Sequence, residues 1–76
     1  MVVAYVFVKA NTGDADRLKR EITDIGDIDR VSIVAGDVDL VAKLAVETPA
    51  DVKEIAADAI QGIGGVESTR TYVAME

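Results

Sequence analysis

Neither cysteine nor histidine occurs anywhere in these 76 residues. Disulfides are therefore excluded, as are thiolate and imidazole metal sites, cysteine nucleophiles and serines activated by histidine. No apolar run approaches the ~20 residues of a membrane span. The opening Met1-Val2-Val3-Ala4 lacks the basic segment and cleavage site of a secretory signal. The expected location is the cytoplasm, away from membranes. Positive charge is also scarce: eight Lys and Arg stand against fourteen Asp and Glu, for a net charge of −6. Such a surface repels a phosphate backbone, so direct nucleic-acid binding is not expected.

No metal or cofactor is expected either. Asp37 and Asp39 offer too few oxygens for an ordinary hard-cation site. The cluster Gly62-Ile63-Gly64-Gly65 follows a helical pattern, whereas a phosphate-cradling loop leads into a helix start; it reads as a helix stop and turn. Ser32, Ser68, Thr69 and Thr71 have no histidine to activate them, and Lys9 and Lys43 read as solvated or edge lysines. No enzymatic activity is expected.

What is present is one domain, residues 1–76, of a size that buries only about 60% of its unfolded surface. Small domains without disulfides or metals commonly depend on association. Val2 to Lys9 is a β-branched and aromatic run with its single charge at the end, and reads as a central strand. Asn11-Thr12-Gly13-Asp14 ends it. Ala15, Leu18, Ile22 and Ile25 then form a helical stripe, with Thr12 or Asp14 as the cap and Gly26 as the stop.

Two strands, Ile28 to Ala35 and Asp39 to Val46, are joined by Gly36-Asp37-Val38-Asp39, a connection short enough to require an antiparallel hairpin with a tight turn. Thr48-Pro49-Ala50-Asp51 combines a capping hydroxyl, proline at the first helical position and an acidic residue in the first turn. Val52, Ile55, Ala56, Ala59 and Ile60 follow as one apolar face, and Val66 to Met75 closes the chain as a strand. The order βαββαβ, with right-handed crossovers, predicts an α+β ferredoxin-like fold: a four-stranded antiparallel sheet with both helices on one face.

A sheet with helices on one side should alternate apolar and polar residues, because its second face meets water. Here both faces are apolar. In the first strand Val3, Tyr5 and Phe7 point one way and Val2, Ala4, Val6 and Val8 the other, and the hairpin continues the pattern with Val34, Val41 and Ala45. An apolar patch of several hundred Å² on a small domain marks an interaction site. We expect a dimer through the sheet, and assign Val2, Ala4, Val6, Val8 and Val34 to its interface.

Gly36, Asp37 and Asp39 have a mechanical reading, since Gly and Asp are ordinary turn residues. They also have a functional one. With the hydroxyls of Thr69 and Thr71, which share a strand face, the carboxylates could hold the ammonium and carboxylate of an amino acid.

Three segments together carry a family resemblance: Ala4-Tyr5-Val6-Phe7-Val8, Val34-Ala35-Gly36-Asp37-Val38-Asp39-Leu40 and Gly65-Val66-Glu67-Ser68-Thr69-Arg70-Thr71. Essentially the whole chain resembles the RAM domain, the effector and oligomerisation domain of Lrp/AsnC transcription regulators, with the Gly-Asp-x-Asp turn its most specific element. The resemblance implies sheet-to-sheet dimers, commonly four of them in a ring, and an amino-acid effector bound between dimers at Gly36, Asp37 and Asp39, with Thr69 and Thr71 carried over less directly. It also implies a helix-turn-helix in full-length members. This chain opens on the first strand, so a stand-alone member is expected, one that senses an amino acid and modulates full-length regulators. A ligand-free scaffold, an ACT-like amino-acid-binding domain and a dimeric α+β barrel enzyme share the pattern and stay open at this stage; the last lacks polar interior residues here.

Overall fold

The computed structural model describes residues 1–11 and 13–75. Its elements are β1 (Val2–Ala10), α1 (Ala15–Thr23), β2 (Ile28–Ile33), β3 (Leu40–Val46), α2 (Pro49–Lys53) and β4 (Val66–Val73). Beyond Lys53 the helix continues over Glu54–Ile60 with the wider π-helical winding, as in the bond from Gln61 N–H to the Ala56 carbonyl. The strands lie in the order β2-β3-β1-β4, all neighbours antiparallel. This is the ferredoxin-like arrangement that the alternation of patterns predicts.

The register shows which side chains share a face. Val2, Ala4, Val6 and Val8 stand opposite Val46, Leu44, Ala42 and Leu40. All of those strand residues except the half-buried Val2, together with Val31, form one buried cluster with Leu18 and Ile22 of α1 and Val52, Ile55, Ala56 and Ile60 of the second helix. Both helical stripes are thus spent on the same side of the sheet. The second helix starts as its sequence predicts: Thr48 Oγ1 accepts the Asp51 N–H at 3.3 Å and the Asp51 carboxylate accepts the Thr48 N–H at 3.2 Å, satisfying two otherwise unpaired donors reciprocally.

The interface assignment made from the sequence needs correction here. Ala4, Val6 and Val8 have no exposed surface within the single chain, because the helices already cover them, and Val2 packs against the same cluster. Ala4, Val6 and Val8 cannot meet a partner without the chain unfolding, and Val2 is half-buried on that same helix side. The uncovered face carries Val3, Tyr5 and Phe7 of β1, Val41, Lys43 and Ala45 of β3, and Arg70 and Tyr72 of β4. Val34, half-buried at the end of β2, belongs with this second group.

Three local expectations also change. Asp14 sits at the N-cap of α1 without capping it by side chain; its carboxylate pairs with Arg17 Nε at 3.1 Å instead, and Thr12 lies outside the described residues. The left-handed residue after α1 is Asp27, at φ 71°, rather than Gly26. The hairpin turn is wider than predicted: β2 ends at Ile33 and β3 begins at Leu40, with one further rung from Val34 N–H to the Asp39 carbonyl at 2.9 Å. The loop therefore spans 35–38 and has room to curl.

Candidate functional site

The hairpin loop curls beside the uncovered face, where β1 and β4 run side by side. Lys9 stands opposite Ser68, Phe7 opposite Arg70 and Tyr5 opposite Tyr72. Period-two alternation puts Phe7, Lys9, Ser68, Arg70 and Tyr72 on that face. The Phe7 and Tyr72 rings pack at 5.3 Å between centroids, inclined by 52°, a tilted aromatic pair. Together with Val34, Ala35, Gly36, Asp37 and Val38 these residues wall a depression of about 640 Å³, within the size range of small-molecule sites.

Asp39 holds the loop in this position. Its N–H donates to the Val8 carbonyl at 2.9 Å, extending the β1–β3 ladder, and its Oδ2 accepts the Ala10 N–H at 2.8 Å. The second bond lies on the β3 side of β1, two residues beyond Val8, where the backbone pairing with β3 has ended. With no backbone carbonyl of β3 to meet it that N–H would be unpaired, and the carboxylate satisfies it. Asp37 is free of such duty: its carboxylate lies on the exposed loop, and only its carbonyl is approached, by Lys9 Nζ at 3.5 Å. A Cβ placed on Gly36 would meet nothing within 4 Å, so the loop backbone there faces open space.

The candidate residues thus divide. Gly36, Asp37 and Thr69 line the depression. Asp39 does not; it is the strut behind the loop. Thr71 is opposite Val6, on the helix side of the sheet, where with Val52, Lys53 and Ala56 it lines a separate shallow groove of about 290 Å³. Thr69 reaches both, because β4 is an edge strand, and its hydroxyl donates to Gln61 Oε1 at 3.3 Å. Lys9, Arg70, Ser68, Phe7 and Tyr72 are the lining residues that sequence reasoning missed. The alternation of β1 and β4 carries the signal for them, once the covered face is known.

A larger depression, about 800 Å³, lies elsewhere and includes Asp27, Glu47 and Asp51. Asp51 is committed to the helix cap, and among the described residues no three acidic side chains converge as metal ligands. The chemically mixed depression beside Asp37 is the stronger candidate. It offers a carboxylate for an ammonium, two cations for a carboxylate, hydroxyls, and an aromatic floor.

A four-stranded antiparallel sheet with both helices on one face and a charged depression at one end of the other defines a ferredoxin-like domain with a candidate small-molecule site. The chain belongs to the Lrp/AsnC ligand binding domain family, whose model matches residues 3–76. Compared with curated proteins by sequence, it matches none. Among solved structures, TTHA0845 from Thermus thermophilus is 25% identical, with a TM-score of 0.94 over 100% of this chain and 95% of that one. AsnC of E. coli is 13% identical at a TM-score of 0.90, covering 99% of this chain and 51% of that protein. A Neisseria meningitidis transcriptional regulator in complex with L-Met is 12% identical at a TM-score of 0.86, covering 99% of this chain and 50% of its own. The fold is shared by all three, and the chain spans about half the length of the two regulators. No helix among the described residues is long and apolar enough to cross a membrane.

Proposed function

We propose that this chain is an amino-acid sensing and assembly module. The observation that carries the reading is the depression beside Gly36-Asp37, where one free carboxylate, Lys9 and Arg70 meet over an aromatic floor. The Asp37 carboxylate would take the α-ammonium; Arg70, whose guanidinium presents a planar fork, would take the α-carboxylate. The ligand held by the Neisseria meningitidis regulator, L-Met, is of this chemical class.

Assembly follows from the open face. Tyr5 and Tyr72 are exposed by 37% and 49%, and the valines beside them are half-buried at best. A second copy laid sheet to sheet would remove this surface from water, and an interface of standard size, about 800 Å² per partner, gives gross stabilisation well above a small domain's margin. Because the depression lies at the end of that same face, ligand and assembly are linked: an amino acid that binds one oligomer better stabilises it, and that oligomer binds the amino acid more tightly by the same factor. Full-length Lrp/AsnC regulators, which carry the same fold, are partners the open face would accept. The unit itself would not read DNA, since its surface is acidic and its two helices are separated by a hairpin.

Calorimetric titration of the chain with a panel of amino acids, paired with sedimentation with and without ligand, tests this. Heat of binding from at least one amino acid, with a shift in oligomer distribution, is expected. Silence across the panel with the oligomer intact would leave a scaffold that senses nothing.

A further inference from the structure

The lining of the depression carries more charge information than an α-amino acid needs. In a chain of net charge −6, this depression holds two cations, Lys9 and Arg70, against the single carboxylate of Asp37. Among the described residues the salt bridges are Arg17 with Asp14 and Glu21, and Lys43 with Asp29. Neither Lys9 nor Arg70 is engaged in one. The nearest acidic side chain in sequence to the loop, Asp39, is occupied by the Ala10 N–H. Lys9 reaches only the Asp37 carbonyl, at 3.5 Å, a contact near the outer limit of a hydrogen bond.

A neutral amino acid brings one ammonium and one carboxylate. The two carboxylate oxygens could accept from both cations, but the ligand's charges balance only Asp37 and one of them, leaving the depression with an uncompensated positive charge. The complement of two cations and one carboxylate is a ligand with two carboxylates and one ammonium. Resting on the amino-acid reading above, we propose that the effector class of this chain is an acidic amino acid, an aspartate or glutamate, with Arg70 and Lys9 dividing its two carboxylates and Asp37 holding its ammonium. The aromatic pair, Phe7 and Tyr72, packs against the short methylene stem. Discrimination against the amide isosteres comes from charge and from the amide NH2, a donor facing donors, because glutamine and glutamate have nearly the same shape.

Titration calorimetry of the intact chain with L-glutamate, L-aspartate, L-glutamine, L-asparagine, L-methionine and glutarate decides the matter. The expected result is that at least one acidic amino acid binds about tenfold or more tightly than its amide, the scale of one charge-assisted hydrogen bond, and that added salt narrows the gap. Glutarate, which lacks the ammonium, binds more weakly than glutamate. Arg70→Gln and Lys9→Gln each shrink the ratio of acid to amide affinity. If methionine or an amide binds as tightly as the acids, the acidic class is wrong while amino-acid sensing stands. If glutarate equals glutamate, the role given to Asp37 is wrong and with it the assignment. Silence across the whole panel overturns the inference together with the reading beneath it.

Discussion

The two faces of β1 are made of similar material and meet opposite fates. Ala4, Val6 and Val8 are sealed beneath the helices, while Val3, Tyr5 and Phe7, one position away in each case, look outward. Hydrophobicity alone does not separate them. On the covered face β1 meets only the aliphatic Leu40, Ala42 and Leu44 of β3 and, at the edge strand β4, the uncharged Thr69 and Thr71, whereas the uncovered face mixes in Lys43, Ser32, Arg70 and two tyrosines. A core must exclude every unpaired polar group; a surface that exchanges water for a partner tolerates charges and favours aromatic rings with a polar tip. Charges and polar-tipped rings therefore distinguish the open face from the covered one.

Neighbouring substitutions test this most severely. Val6→Lys places an ammonium where there is no exposed surface. Burying an unpaired charge costs several kcal/mol, against a stability of about 5–15 kcal/mol for an ordinary domain and less for a small one. The variant should lack native circular dichroism and a cooperative thermal transition. Tyr5→Lys, next to it on the outer face, should keep the native spectrum and instead sediment as single chains where the parent sediments as larger species. A folded Val6→Lys variant would mean that the helices do not seal that face; unchanged sedimentation of Tyr5→Lys would move the interface elsewhere.

Most of the architecture was legible because it rests on period. The stripe Leu18, Ile22 and the stripe Val52, Ile55, Ala56, Ile60 are buried as their spacing requires, and the Thr48–Asp51 cap forms as its residue types dictate. The side of the sheet on which the helices land was not legible in β1, since both of its faces are β-branched. It was available in β3, where Lys43 interrupts one face only. The π-helical winding of 54–60 left no trace, because the same stripe serves either winding. Of the candidate site, the hairpin loop that carries Asp37 was legible as a turn, and the tying of Asp39 to the Ala10 N–H was not. Which carboxylate is tied back and which stays free depends on β1 running past the end of its β3 pairing, so that the Ala10 N–H takes the Asp39 side chain, and nothing in the one-dimensional string records that overhang.

That division predicts smaller and opposite effects for the two aspartates. Asp39→Ala removes the acceptor of the Ala10 N–H and should lower stability in urea by about 1–2 kcal/mol, the cost of leaving a partly buried donor unpaired. Asp37→Asn touches an exposed loop, should leave stability within about 0.5 kcal/mol, and should weaken amino-acid binding about tenfold through loss of the ammonium's charged partner. Unfolding curves and calorimetry on the same two variants separate strut from ligand. If Asp37→Asn binds as the parent does, the loop is not part of the site.

The smallest effect is expected at Thr71, and it bears on where the two faces end. Thr69 and Thr71 share the helix side of β4, yet Thr69 also lines the depression and Thr71 lines only the shallow groove beside Pro49, Val52 and Ala56. Thr71→Val exchanges a hydroxyl outside the depression for a methyl group of nearly equal size, in a strand that favours β-branched residues. Stability should stay within about 0.5 kcal/mol, and amino-acid affinity should not change. A fall in affinity for Thr71→Val would show that the ligand site wraps around the β4 edge onto the helix side, and that the separation of a closed structural face from an open functional one fails at that strand.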